Sequence, residues 1–183
     1  LACGPGNNGG DGLEAAMHLQ QWGRAPVVTW LGDEATAPAD AQVSLARARE
    51  AGVQFSGQAP SGLAPQDLCI DALLGIGSRR PAEGRMAACL DALCASAAPI
   101  LAVDMPTGLD PDTGTATMGA QLVRARWTLS LLTLKPGLFT AQGRDFAGEV
   151  WLDTLDVDDG AAPPCAALAG PTAALLRPHA SHK

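Results

Sequence analysis

The sequence has no tyrosine and only three phenylalanines, so its core must be built mostly from alanine, leucine and valine. Its five cysteines show no CxxC spacing and no nearby histidine, which removes the common zinc patterns. Cys69 falls in an apolar strand, Cys89 and Cys94 in a helix, and they read as the reduced core thiols of a cytosolic protein, giving an expected cytoplasmic location. Histidine is scarce too. His18 lies on a helix and His179 and His182 in the tail, without partners at metal spacing, and they are read as surface residues. No apolar run reaches about 18 residues, so no membrane-spanning helix is expected, and no signal peptide is visible. Positive charge is short: 12 Lys and Arg stand against 19 Asp and Glu, a net charge of -7. That balance argues against nucleic acid or an anionic membrane as partner, and it means that a phosphorylated ligand must be held by local donors against the global field.

At 183 residues and 47% hydrophobic content, the chain is sized for one domain with a full core. Short apolar runs predict strands at Pro26 to Leu31, Asp67 to Leu74, Pro99 to Val103, Trp127 to Leu134 and Glu149 to Leu152. Helical spacing of Leu13, Ala16 and Met17 predicts a helix from Gly10 to Trp22, that of Ala41, Leu45 and Ala48 one from Ala39 to Ala51, and that of Met86, Leu90 and Leu93 one from Glu83 to Ala97. Strand–helix alternation implies a Rossmann-like α/β fold, a mainly parallel sheet with helices on both faces. Leu1-Ala2-Cys3 enters a glycine-rich loop with no initiator Met, so a strand and earlier helices are expected to be missing through truncation or disorder. Beyond Leu155 the chain turns acidic, small and proline-containing. The expected division is a domain over 1–155 and a linker over 156–183.

In open α/β sheets ligands sit where strands end, so polar residues just after strands are the informative ones. Gly4, Gly6 and Gly9 fit GxGxxG, which brings backbone close to a pyrophosphate at a helix N-terminus. A tight turn alone would also explain these glycines, but Asn7, Asn8 and Asp11 go beyond what a turn needs. A carboxylate such as Asp11 repels phosphate unless a cation, a proton or a ribose hydroxyl intervenes. Asp71 lies in an apolar strand, where an unpaired carboxylate costs several kcal/mol. It either serves a site or caps a neighbouring loop. Gly75, Gly77 and Ser78 follow it, with Arg79 and Arg80 behind, a set suited to phosphate. Asp104 leaves a buried strand and suits general acid–base work. Thr107 offers a hydroxyl. Lys135 ends the apolar run from Leu129; it neutralises a phosphate, pairs with an aspartate, moves a proton or forms a structural salt bridge. Asp110 to Gly114 reads as an ordinary turn. Asn8, Asp71 and Thr107 together supply amide, carboxylate and hydroxyl oxygens, which favour an alkali or alkaline-earth cation over a transition metal.

At these residues the sequence resembles the NAD(P)H-hydrate epimerase family, also called the YjeF N-terminal domain. The resemblance rests on GPGNNGGDG (4–12), IDALLGIG (70–77), AVDMPTGLD (102–110) and LKPGL (134–138), in that order, and covers about residues 2–155. It implies a Rossmann-like fold and an isomerase that interconverts the R and S epimers of hydrated NADH and NADPH, NADHX and NADPHX, damage products of the cofactors. It implies substrate contacts at Asn7, Asn8, Gly9, Gly10 and Asp11, at Gly75, Ile76, Gly77, Ser78, Arg79, Arg80 and Pro81, and at Asp104. It implies a potassium ion on Asn8, Asp71 and Thr107, the last standing where many members have Ser. Asp104 is the first choice for proton transfer and Lys135 the second.

The family usually has helices before the first strand; they do not stand before it in this sequence, and dimer contacts and part of the pocket cover are expected to be missing with them. A homo-oligomer is expected. Arg177 to Lys183 looks like the lead-in to the ADP/ATP-dependent dehydratase domain of bifunctional members, so the chain reads as the epimerase half of a two-domain repair enzyme. Two other readings compete. An NAD-dependent dehydrogenase shares GxGxxG and would use Asp33 on a ribose, but it leaves Asn7, Asn8 and Asp71 unexplained. A non-catalytic nucleotide-binding or protein-interaction module of the same fold, like the eukaryotic homologues that bind apolipoprotein, would have no need of intact polar motifs.

Overall fold

The computed structural model describes residues 1–77, 82–117, 121–157 and 163–168. Seven parallel strands form one sheet: β1 (Ala2–Cys3), β2 (Val27–Trp30), β3 (Gln54–Ser56), β4 (Cys69–Ala72), β5 (Ile100–Val103), β6 (Trp127–Leu131) and β7 (Glu149–Asp153). Their spatial order is β3-β2-β1-β4-β5-β6-β7. Among the described residues four helices accompany them, α1 (Asn7–Gln21), α2 (Ala39–Glu50), α3 (Gly84–Ala95) and the short α4 (Gly143–Phe146), with a 3-10 turn at Pro136–Leu138.

Period-two alternation along the strands divides the core in two. Cys3, Val28, Ile70, Ala72 and Val103 face Leu13, Ala16 and Met17 of α1 and Leu45 and Ala48 of α2. Ala2, Cys69 and Ile100 face the other way, onto Cys89, Leu90 and Leu93 of α3. The chain therefore winds outward from β1 in one direction and from β4 in the other, and the switch lies between these two paired strands. At such a switch the connections diverge and leave a crevice beyond the strand ends.

Several boundaries differ from those read in the sequence. A first strand is present: Ala2 and Cys3 pair with Thr29 and Trp30 of β2 and with Asp71 and Ala72 of β4. β3 has a single apolar residue, Phe55, and pairs only with β2 at the sheet's edge, so no apolar run announces it. α1 begins at Asn7 rather than Gly10, because Gly9 lies directly on the Gly4 turn. A Cβ on Gly9 would stand 1.9 Å from the Gly4 carbonyl oxygen, and this backbone-on-backbone contact outweighs the poor helix propensity of asparagine and glycine. β6 stops at Leu131 rather than Leu134, since Leu132 takes a φ of +65°. The acidic stretch at 158–162 and the tail at 169–183 lie outside the described residues. No helix among the described residues is long and apolar enough to cross a membrane.

Candidate active site

A crevice of about 700 Å3 opens beyond the carboxyl ends of the strands on either side of the switch. Its walls come from the start of α1 (Pro5 to Asn8, and Asp11), the turn after β4 (Leu73 to Gly77), Asp104 after β5, Leu131 to Thr133 and Lys135 at and after the end of β6, and Leu155 after β7. Segments far apart in sequence thus meet at one end of the sheet.

The helix wall is suited to anions. Gly6 caps α1 without a side-chain hydrogen bond, and Gly10 is the first residue whose N–H reaches a helical carbonyl, that of Gly6 at 3.2 Å. The N–H groups of Asn7, Asn8 and Gly9 are left without intrahelical acceptors at the positive end of the dipole. Asn8 is half-buried, and its Nδ2 and Oδ1 are both buried and lack a hydrogen-bond partner. A buried amide left unmade in this way costs free energy unless something supplies the missing partner.

On the floor Asp104 and Lys135 form an ion pair, both nearly buried, with side chains 14% and 12% exposed. Lys135 Nζ also donates to the Leu131 carbonyl (2.6 Å) and to Ser130 Oγ (3.3 Å), while the Leu131 N–H donates to Asp104 Oδ1 (3.3 Å). Asp104 occupies a rare backbone state, φ +67°, at the corner of a γ-turn closed by Met105 N–H on the Val103 carbonyl (2.8 Å). Gly75 makes room for this carboxylate: a Cβ there would lie 3.3 Å from Asp104 Oδ2 and 3.4 Å from Asn8 Cβ. Asp104 and Asn8 are therefore neighbours across Gly75.

Asp71 and Thr107 lie behind the wall rather than on it. Asp71 is fully buried; its Oδ2 accepts the Thr107 N–H (2.8 Å), and its Oδ1 accepts the Thr107 hydroxyl (2.7 Å) and the Leu73 N–H (3.2 Å). The same hydroxyl accepts the Leu74 N–H at 3.2 Å. Burial pushes the Asp71 carboxyl up to about 6, against the pull of the bonds from Thr107 and Leu73. Asp71 is thus bonded to the backbone of two neighbouring loops, after β4 and after β5.

Asp11 lines the crevice from the second turn of α1. Desolvation, and then the nearby charge of Asp104, push its carboxyl up to about 6. Gly10 is buried and faces Ala41 of α2, where its Cβ would meet Ala41 Cα at 3.1 Å, so it packs helices together rather than lining the crevice. Ile76 is 58% exposed at the rim beside Gly77. Ser78, Arg79, Arg80 and Pro81 lie outside the described residues. Asp33 is away from the crevice, its Oδ1 accepting the Ala35 N–H at 2.9 Å. Asp110 Oδ1 accepts the N–H groups of Asp112 and Thr113 in a local turn. His18 sits beside Glu14 at 3.5 Å and stacks on Trp22. Among the described residues no group of three or more His, Cys, Asp or Glu side chains could hold a metal. Sequence reasoning missed Leu132 and Leu155 as crevice residues. Each reads as ordinary apolar content, and only the backbone turns them outward.

The family described as YjeF-related protein N-terminus matches residues 1–137. The NAD(P)H-hydrate epimerase of Limosilactobacillus fermentum is 39% identical over 150 residues, covering 82% of this chain and 71% of that protein. The bifunctional NAD(P)H-hydrate repair enzyme Nnr of Escherichia coli is 39% identical over 162 residues, 86% of this chain, which spans only 30% of that longer protein. A crystal structure of the yeast protein YNL200c superposes with a TM-score of 0.63 at 30% identity, covering 74% of this chain and 58% of that one. Fold, motifs and relatives agree, and the chain belongs to the NAD(P)H-hydrate epimerase family, the YjeF-related N-terminal domains.

Proposed function

We propose that this chain interconverts the R and S epimers of hydrated NADH and NADPH as part of nicotinamide nucleotide repair. The observation that carries the reading is the nearly buried Asp104–Lys135 pair on the floor of a crevice whose far wall is a helix N-terminus. Inverting the carbon that bears the hydroxyl needs no net redox change. One route protonates the hydroxyl so that it leaves as water, then adds water to the opposite face with return of a proton, so that atoms and electrons balance. Ring opening and reclosure is the other route, and both require a group that gives and takes a proton. Asp104 has that role, and Lys135 holds it in place and neutralises it between transfers. The N–H groups at the start of α1 receive the pyrophosphate, with Asn7, Asn8, Gly9, Asp11 and the turn from Gly75 to Gly77 around it.

Potassium fits the donor set. The orphaned Asn8 amide oxygen, with oxygens of Asp71 and Thr107 behind the wall, would hold it; all three are hard oxygen donors. A bound cation would offset the negative charge that Asp11, Asp71 and Asp104 bring close to a phosphorylated substrate. The bifunctional relatives in Escherichia coli and Leishmania major support a dehydratase acting on the S epimer as partner, joined through residues 156–183 to an epimerase unit over 1–155. The five cysteines are unpaired thiols, which supports a reducing, cytoplasmic setting.

The test is a coupled assay. R-NADHX is incubated with an S-specific dehydratase, and recovery of NADH is followed with and without the protein. Acceleration is expected; a folded protein that binds NADPH but gives none overturns the reading in favour of a non-catalytic nucleotide-binding module.

A further inference from the structure

Six described non-glycine residues have positive φ, and three of them, Asp104, Leu132 and Leu155, line the crevice. Leu132 (φ +65°) is the corner of a γ-turn closed by the Thr133 N–H on the Leu131 carbonyl at 2.7 Å, the rarer and strained form of that turn. Leu155 (φ +53°) and Asp156 (φ +57°) are the two central residues of a turn closed by the Val157 N–H on the Thr154 carbonyl at 3.0 Å. Positive φ at both positions is the type I′ pattern, normally left to Asn and Gly. A leucine is unfavourable there twice over, since the backbone is strained and the side chain stays 49% exposed at Leu132 and 53% at Leu155. The two turns are tied together by the Leu132 N–H on the Asp153 carbonyl at 2.7 Å. Outliers of this kind persist where surrounding structure enforces them, and they gather at ligand sites.

We propose that Leu132 and Leu155 form the apolar wall against which the hydrated nicotinamide ring of the substrate lies. The inference rests on the epimerase reading, and the local geometry selects the ring. The Leu131 N–H binds the Asp104 carboxylate, and Lys135 reaches back to the Leu131 carbonyl. Any part of the substrate presented to the Asp104–Lys135 pair therefore borders Leu132. The carbon to be inverted belongs to the nicotinamide-derived ring, while the phosphates and adenosine extend toward the N–H groups of α1 and the glycine turn after β4. Apolar contact fixes a largely neutral ring without competing for the proton-transfer groups.

Glycine substitution separates this role from a structural one, because glycine accepts the backbone that leucine resists. Binding of NADH, which carries the ring, and of ADP-ribose, which lacks it, is measured by calorimetry for the parent, Leu132→Gly, Leu155→Gly and the double variant. The double variant should weaken NADH binding by about tenfold and leave ADP-ribose within about twofold, while its melting temperature holds or rises. Ala25→Gly, at a positive φ remote from the crevice, should change neither affinity. Equal losses for both ligands, or no loss for NADH, overturn the inference. If the glycine variants fail to fold, Leu132→Asn and Leu155→Asn accept the same φ and give the same comparison. A parent that binds neither ligand overturns this assignment; a parent that binds both and does not epimerise overturns only the activity.

Discussion

Thr107 gives both its N–H and its hydroxyl to the two oxygens of Asp71, at 2.8 and 2.7 Å, across 36 residues of sequence. This doubly bonded pair fastens the loop after β5 to the end of β4 and so sets the distance between Asp104 and the glycine turn. Thr107→Val keeps the N–H but leaves Asp71 Oδ1 and the Leu74 N–H short of a partner inside the fold, a loss of about 1–3 kcal/mol. Thr107→Ser keeps the hydroxyl and should stay within about 1 kcal/mol of the parent. Chemical denaturation in urea compares the three. Replacing potassium by tetramethylammonium should slow the parent and the Ser variant and leave the Val variant nearly insensitive. A parent indifferent to the exchange removes the ion from the mechanism.

Asp104 and Lys135 are nearly buried and bonded to each other, so each single substitution strands a charge as well as deleting a function. Asp104→Asn should lower turnover of hydrated NADH by about 10²–10⁴ while NADH affinity changes by only a few fold. Because the unpaired lysine remains, stability should also drop by about 3–5 kcal/mol. The double variant Asp104→Asn with Lys135→Gln recovers much of that stability and none of the activity. Parallel melting curves and single-turnover rates read the two effects separately. Equal losses in turnover and affinity would reduce Asp104 to a binding group.

The strands that carry these residues were legible because parallel strands buried on both faces read as apolar runs, and a charged residue ending such a run has few places to go but the crevice. That logic located Asp104 from Leu101-Ala102-Val103; Lys135 also lines the crevice, but four residues past the end of β6 rather than at a strand end. It failed at β1 and β3, where two and three residues are held by their neighbours rather than by any pattern of their own. It misjudged the start of α1, where the close approach of Gly9 to Gly4 settles the matter. The Leu132 and Leu155 positions were invisible for a different reason. Their placement depends on φ, and leucine gives no warning of a positive value.

Asp11 gives the fold a pH signature. Desolvation and the charge of Asp104 raise its carboxyl to about 6, above the roughly 3.9 of an unfolded chain. The folded state then binds more protons than the unfolded one between about pH 4 and pH 6, and stability falls across that interval as pH rises. Asp11→Asn removes the charge and should melt higher than the parent above pH 6, with the difference closing below pH 4. Melting temperatures at pH 3.8 and 7.5 decide it. A gap of the same size at both values would show that the Asp11 carboxyl titrates alike in the folded and unfolded chain.

Two glycines three residues apart should respond in opposite ways to the same methyl group. On Gly9 the added Cβ would stand 1.9 Å from the Gly4 carbonyl oxygen and 2.7 Å from its carbon. Both are main-chain atoms with no rotamer to change, so α1 must lift off the β1 turn. Overpacking of this kind costs about 1–3 kcal/mol or more, and here the displacement falls on the N–H groups that face the crevice. On Gly6 nothing lies within 4 Å of the added Cβ, and its φ of −98° is open to any residue. Gly9→Ala should therefore lose both thermal stability and NADH binding, whereas Gly6→Ala should melt close to the parent. Fluorescence titration with NADH adds a sharper reading for Gly6, since a small loss there with unchanged melting would mean that the ligand's phosphates approach the backbone at the cap itself.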